Sequence, residues 1–523
     1  MADKTGEPKE ASLKRSAEKL TEEIQNMANY KSLYTEIQKL VASTAVKRED
    51  FKNTLMDALK NNGLETEIRN TVFHWARSQG SLSTTSVPSA EEVDLSYLRK
   101  AQIQWERRIQ KSLNSTCNEL NVPLARIRPT ADRDELAEKW NELSTYDIDL
   151  SQYRPLYSPK DFLDVLYSIR NPSFKKHPDE LNWEFSHIQI RVKTLTQLRR
   201  LYAELANGLP LLGVNPEMPS SENFINLEEE RIHIGEKVLR SNYAPIAQEF
   251  LKRGAPRALR GRLWSLVLGS VVKENVETLF IIKKDKGDIY HGADVQLTAR
   301  NDDQYFVFED VLYKTMLCFS RDSEVLAPVT TDRSAGGQVI HAVLQGKPAT
   351  LENTLVFPPS GVIPFHGFTM YATPFCYLYD DPCGMYYTFR AFYLRYWFRL
   401  HTVSSHEQGI VALCLLFERL LQCHEPLLWI HFRNIHIHPV KIVFKWIMRG
   451  FSGHLPPEQL LYLWDLILAY DSLEIIPLLA VTILSFRKEN LMQVNNQQSV
   501  EAVLADLSSL KIVPLLQLAL LRE

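Results

Sequence analysis

The densest run of cations in the sequence lies at 252–262, where Lys252, Arg253, Arg257, Arg260 and Arg262 occur with no acid between them. A guanidinium presents a planar fork of donors that suits carboxylate or phosphate oxygens. Pro256 is placed to open a helix at its first turn, and Arg260 and Trp264 then fall one turn apart on one face. Two readings follow. The run is a solvated basic face, or Arg260 is a buried cation packed beside Trp264 and neutralised by a carboxylate from elsewhere in the chain. A second cluster is histidine: His431, His436 and His438 in Trp429-Ile430-His431-Phe432-Arg433-Asn434-Ile435-His436-Ile437-His438. Histidines two apart on an extended segment can share a metal. With no cysteine or carboxylate at ligand spacing and apolar flanks, a helix end with hydrogen-bonded histidines is the expectation, and no metal site is expected.

Other chemistry is missing at the level of motif. Gly346-Lys347-Pro348 has neither the spacing nor the hydroxyl of a phosphate-cradling loop, and neither a Gly-x-Ser-x-Gly elbow nor a His-Glu-x-x-His pair occurs. Sixty Lys+Arg against 63 Asp+Glu leave a net charge of −3, which argues against a chain-wide nucleic-acid binder. The six cysteines, Cys117, Cys318, Cys376, Cys383, Cys414 and Cys423, form no Cys-x-x-Cys pair and point to a reducing compartment. Met1 to Ser12 lacks an apolar core, so no secretory signal is expected. The longest apolar stretch, Leu460 to Phe486, is broken by Asp465, Asp471 and Glu474, so no transmembrane segment is expected and the reading is a cytoplasmic protein.

Helices are the elements that must carry these residues. With 45% hydrophobic and 24% charged residues, the 523-residue chain has the composition of a folded protein of two to four domains. Leu13, Ala17, Leu20, Ile24 and Met27 recur at helical spacing, as do Leu33, Ile37 and Leu40. Phe51, Leu55 and Leu59 predict a helix that Gly63 ends. Ser78 to Ala90 reads as a Ser/Thr-rich linker, Tyr153 to Pro159 as a break, and Gly208 to Ser221 as a boundary. Beyond residue 230 helical spacing dominates, as in Leu413, Leu416, Phe417, Leu420 and Leu421, and strand alternation is scarce. The fold class expected is all-α.

Two stretches resemble a known family. Arg253-Gly254-Ala255-Pro256-Arg257-Ala258-Leu259-Arg260-Gly261-Arg262-Leu263-Trp264 is similar to the opening signature of TBC (Tre-2/Bub2/Cdc16) domains, all-helical GTPase-activating domains for Rab proteins, with Arg260 and Trp264 on its Arg-x-x-x-Trp. A later signature resembles Trp446, then Phe451-Ser452-Gly453-His454-Leu455-Pro456, then Leu463-Trp464-Asp465-Leu466-Ile467. The resemblance covers roughly 245–490. It implies the TBC domain over 245–490, while the apolar spacing gives a helical N-terminal region over 1–240 with its Ser/Thr-rich linker near 78–92, and a C-terminal helical tail over 491–523 is expected to pack on the TBC domain. It also implies a Rab-type small GTPase as partner, action as its GTPase activator, a place in vesicle trafficking, and membrane contact only through that GTPase. The chain would need no cofactor of its own, since the partner carries GTP and Mg.

The family's chemistry rests on Ile-x-x-Asp-x-x-Arg, which supplies an arginine finger, and Tyr-x-Gln, whose Gln orients the attacking water. Both serve phosphoryl transfer, which asks for charge neutralisation and a placed water rather than covalent help. This chain departs from both. Val307-Phe308-Glu309-Asp310-Val311-Leu312-Tyr313 keeps the acid as Asp310 but puts Tyr313 at the finger, with Lys314 beside it and Arg321 two turns on. Val362-Ile363-Pro364-Phe365-His366-Gly367-Phe368 keeps Gly367 but puts His366 at the glutamine. The resemblance therefore implies Tyr313, Lys314 and His366 converging on one groove, with Asp310 the first candidate partner of a buried Arg260. It also implies Trp446, Trp464 and Asp465 as core residues. The alternative from another class is a catalytically deficient TBC module that serves as a Rab-binding scaffold.

Overall fold

The computed structural model describes residues 18, 20–27, 29–42, 48–61, 63–82, 95–119, 157–171, 185–206, 227–270, 272, 294–295, 305–325 and 360–521. Among these every regular element is an α- or 3-10 helix, and there is no strand. The predicted helix around Phe51, Leu55 and Leu59 runs Arg48–Asn61, and Gly63 follows it with φ +71°. The helix Leu64–Leu82 carries the chain through the first residues of the stretch read as a linker, so Ser78 to Leu82 are helical. The rest of that stretch, most of the Tyr153 to Pro159 break and all of Gly208 to Ser221 lie outside the described residues, as do Leu13 and Ala17.

The centre of the molecule is the helix Ile475–Phe486, in which every residue from Ile475 to Leu484 is buried. A helix apolar all round must be enclosed. Here Ile410–His424, Pro439–Met448 and Ile512–Leu521 enclose it. The three acids that interrupt this apolar stretch each meet a cation. Asp465 meets Arg260, Asp471 meets Arg395, and Glu474 meets Lys193 at 2.9 Å.

The hydrophobic core is continuous from Tyr97 to Leu520. Trp105 on Ser96–Glu119 packs at a tilt against Phe162 on Pro159–Ser168, with ring centroids 4.6 Å apart, and Phe162 in turn meets Phe444. Side chains well before residue 240 therefore share one interior with the C-terminal helices. Burying a charge or an amide in such an interior requires a partner, and those partners define the sites below.

Candidate functional site

Arg260 opens the helix Arg260–Leu268, and Trp264 lies one turn further along it. Pro256 does not start this helix. It leads the turn before it, closed by the Leu259 N–H donating to the Pro256 carbonyl. Arg260 is 3% exposed and its partner is Asp465, not Asp310: Nε donates to Oδ2 at 3.1 Å and Nη2 to the Ala255 carbonyl at 3.0 Å. Trp264 Nε1 and the Ala255 N–H also donate to the Asp465 carboxylate, at 2.6 and 3.0 Å. Burial pushes the Asp465 carboxyl up, while Arg260 and the N–H donors pull it down. The cluster joins the two family-like signatures in the core. Trp464 is fully buried and donates to the Gly450 carbonyl, and Trp446 is also buried.

The second middle motif is a buried loop. From Ser360 to Cys376, His366 is the one residue that is not buried. Its backbone is held on both sides, its N–H donating to the Tyr157 carbonyl and its carbonyl accepting from Arg449 Nη2, each at 2.8 Å. Gly367 follows with φ +90°, and a Cβ there would run into the Arg449 guanidinium, so both backbone and space require glycine. The Asp294 carboxylate accepts from the Gly367 and Thr369 N–H groups at 2.6 and 2.7 Å and from Thr369 Oγ1 at 2.6 Å. Neither Asp294 nor Arg449 stands out in the sequence. Each becomes significant only because the fold brings it, from a distant segment, to the His366 loop.

Asp310, Tyr313 and Lys314 stand on the helix Glu309–Arg321. Asp310 is 73% exposed and pairs with Lys314 on its own helix. Tyr313 is 37% exposed. The His366 loop meets this helix at its far end, where Phe319 packs on Phe368 and the Ser360 N–H donates to the Ser320 carbonyl. That is six residues beyond Tyr313, roughly 9 Å along the axis. Tyr313 and Lys314 are thus neighbours on one helix, while the His366 backbone is held by Arg449 and Tyr157 and the next residues of its loop by Asp294. The side chain of Arg321 lies outside the described residues.

Two further sequence features find their places. Asp471 ends the helix Pro457–Tyr470 in the left-handed conformation at φ +50°. Its carboxylate accepts from Arg395 Nε and Tyr396 Oη, each at 2.8 Å, and lies 3.7 Å from Arg77. Burial works against ionisation there, but Arg395 and its neighbours hold the carboxyl down at about 2. Of the clustered histidines, His431 Nε2 meets the Val494 carbonyl, and His438 Nδ1 caps a helix by accepting from the Val440 N–H. Among the described residues no group of His, Cys, Asp and Glu is arranged to hold a metal, and no helix is long and apolar enough to cross a membrane.

Comparison with known proteins places the architecture. Residues 365–492 match the Rab-GTPase-TBC domain family, beginning one residue before His366. The chain is 42% identical over 494 residues to human TBC1 domain family member 19, covering 91% of each. It is 22% identical over 230 residues to a TBC domain-containing protein kinase-like protein of Dictyostelium discoideum, covering 44% of this chain and 19% of that one. A solved structure, the Chlamydomonas flagellar RabGAP TBC domain, overlays with a TM-score of 0.40 at 14% identity, over 64% of this chain and 97% of its own. An Arg-x-x-x-Trp closed onto the buried carboxylate of a Trp-Asp pair, in a chain this similar to a TBC1 domain protein along nearly all of its length, identifies it as a member of the Rab-GTPase-TBC domain family.

Proposed function

We propose that this chain engages a Rab-type GTPase at the surface where His366 emerges and stimulates its GTP hydrolysis, with GTP and Mg held by the GTPase. One observation carries the reading. In a loop that is otherwise buried, and pinned by hydrogen bonds on either side, the residue at the glutamine position is the one that stays partly exposed. A fixed backbone that leaves one side chain partly open to solvent suits the placing of a water, because the ordering cost is met before the substrate arrives. Neutral imidazole both donates and accepts, so His366 is chemically able to hold a water. The protein works on the cytosolic side of endomembranes, reached through its GTPase, in vesicle trafficking.

A second reading has its own support. An arginine finger contributes about 10³–10⁵ in rate, and the expected position carries Tyr313, with Lys314 tied to Asp310. A TBC module without the finger would bind a Rab-type GTPase as a scaffold. Single-turnover GTP hydrolysis across a panel of purified Rab GTPases, with binding measured on the same panel, separates the two. Stimulation that falls in His366→Ala supports the activator. Binding without stimulation supports the scaffold. Neither binding nor stimulation with any GTPase in the panel would reject both.

A further inference from the structure

We infer that Asp294 is the positioning residue of the His366 loop and takes the place of the acid in the first middle motif, which Asp310 does not. The inference rests on the GTPase-directed reading above. An acid that positions this loop stands against the loop's backbone N–H groups. Asp294 does so. It is 1% exposed, and its two carboxylate oxygens take three donors from Gly367 and Thr369. Asp310 is mostly exposed and its ion pair is with Lys314 one turn away on its own helix. A buried carboxylate needs such donors, and a loop whose N–H groups point inward needs such an acceptor, so each fixes the other.

Arg449 completes the arrangement. Its guanidinium donates to the His366 carbonyl and lies against Gly367. The pull of Asp294 on this cation opposes the effect of burial, which lowers its pKa. The loop is thus held by an anion on the N–H side of Gly367 and a cation on the C=O side of His366. Their effect is to fix where the imidazole leaves the surface. Neither touches the reacting atoms, so both act by position. Counted from Asp294, the place that the resemblance gives to the arginine holds Leu297 in the sequence, not Tyr313.

The test compares Asp294→Asn, Thr369→Val and Asp310→Asn in the full-length chain. Amide hydrogen exchange is followed over 366–371, with 410–424 as core reference. The maximal stimulated rate and the activator concentration giving half of it are measured on a responsive Rab GTPase. Asp294→Asn and Thr369→Val are expected to speed exchange at Gly367 and Thr369 by about tenfold or more while the core reference is unchanged, since local opening is independent of global unfolding. Both should lower the maximal rate by about tenfold or more with the half-saturating concentration unchanged, and Asp310→Asn should change neither. Unchanged exchange in Asp294→Asn, a rise spread equally over the core, or the same effects from Asp310→Asn would overturn the inference. If the unaltered protein stimulates no GTPase, the activator reading fails by itself, and the exchange data still decide whether Asp294 positions the loop.

Discussion

Asp465 shows how a single acid can look like chemistry in a sequence and be architecture in the fold. With two ring or guanidinium donors and a backbone N–H on its two oxygens, it has no access to a substrate. Removing one member of a buried pair strands the other, at a cost of about 3–5 kcal/mol. Arg260→Ala should therefore lower unfolding stability by that order, measured by denaturant titration, while rate per folded molecule is retained. Loss of rate at unchanged stability would instead make Arg260 a contact to the GTPase. The finger position gives a sharper prediction. With Asp294 setting the register, Leu297→Arg combined with His366→Gln should raise stimulated hydrolysis by about 10³-fold or more, the yield of a finger in place. Tyr313→Arg with His366→Gln should not, and single-turnover assays of the two double variants decide between the registers.

Two histidines report how neighbouring elements press together. His74, on the helix Leu64–Leu82, lies against Gly269. Burial, then Arg395 and Arg77, lowers its pKa to about 4. His454, in the turn after Trp446, is lowered to about 3 by burial, then Arg449 and Lys445. A depressed histidine stays neutral in the folded chain while the unfolded chain takes up a proton below about 6.5. Stability is therefore present in full above that pH and declines as pH falls towards the folded values, at about 1.4 kcal/mol per pH unit for each group. Asp465 and Glu474, whose carboxyls are raised by burial, act in the opposite direction. The informative quantity is therefore the difference between proteins. His454→Gln should flatten the fall in urea-unfolding stability between pH 6.5 and 4.5 relative to the unaltered chain. Identical slopes would mean that His454 is not held neutral.

At the scale of the molecule, the region before residue 240 supplies working parts. The Tyr157 carbonyl holds the His366 N–H, the Phe185 N–H is satisfied by Glu418 at 2.9 Å, and the Val403 N–H donates to Gln102. Trp105 is 1% exposed and packs on Tyr157 as well as Phe162. Truncating a core tryptophan costs about 3–5 kcal/mol. Trp105→Ala should destabilise the whole chain by that order in one cooperative transition, and should also speed amide exchange over 366–371. Calorimetry that shows two transitions, only one of them shifted, would mean that the N-terminal helices fold independently.

The sequence alone determined the helical class, because apolar residues at spacings of three and four need nothing beyond the local chain to be recognised. It also determined that Arg260, Trp264, Trp446, Trp464 and Asp465 belong to one family-like framework, since both signatures are contiguous strings. It left open which carboxylate neutralises Arg260. The answer, Asp465, lies 205 residues away, and only chain reversal through the core brings the two together. Asp471 marks a similar limit. A left-handed residue is easiest to foresee as glycine, yet here an aspartate is held in place by Arg395, Tyr396 and Arg77 from two other helices. Asp294 was invisible for the same reason. An isolated acid in a sequence has no periodicity and no motif of its own, and its role exists only where tertiary packing turns the Gly367 and Thr369 N–H groups towards it.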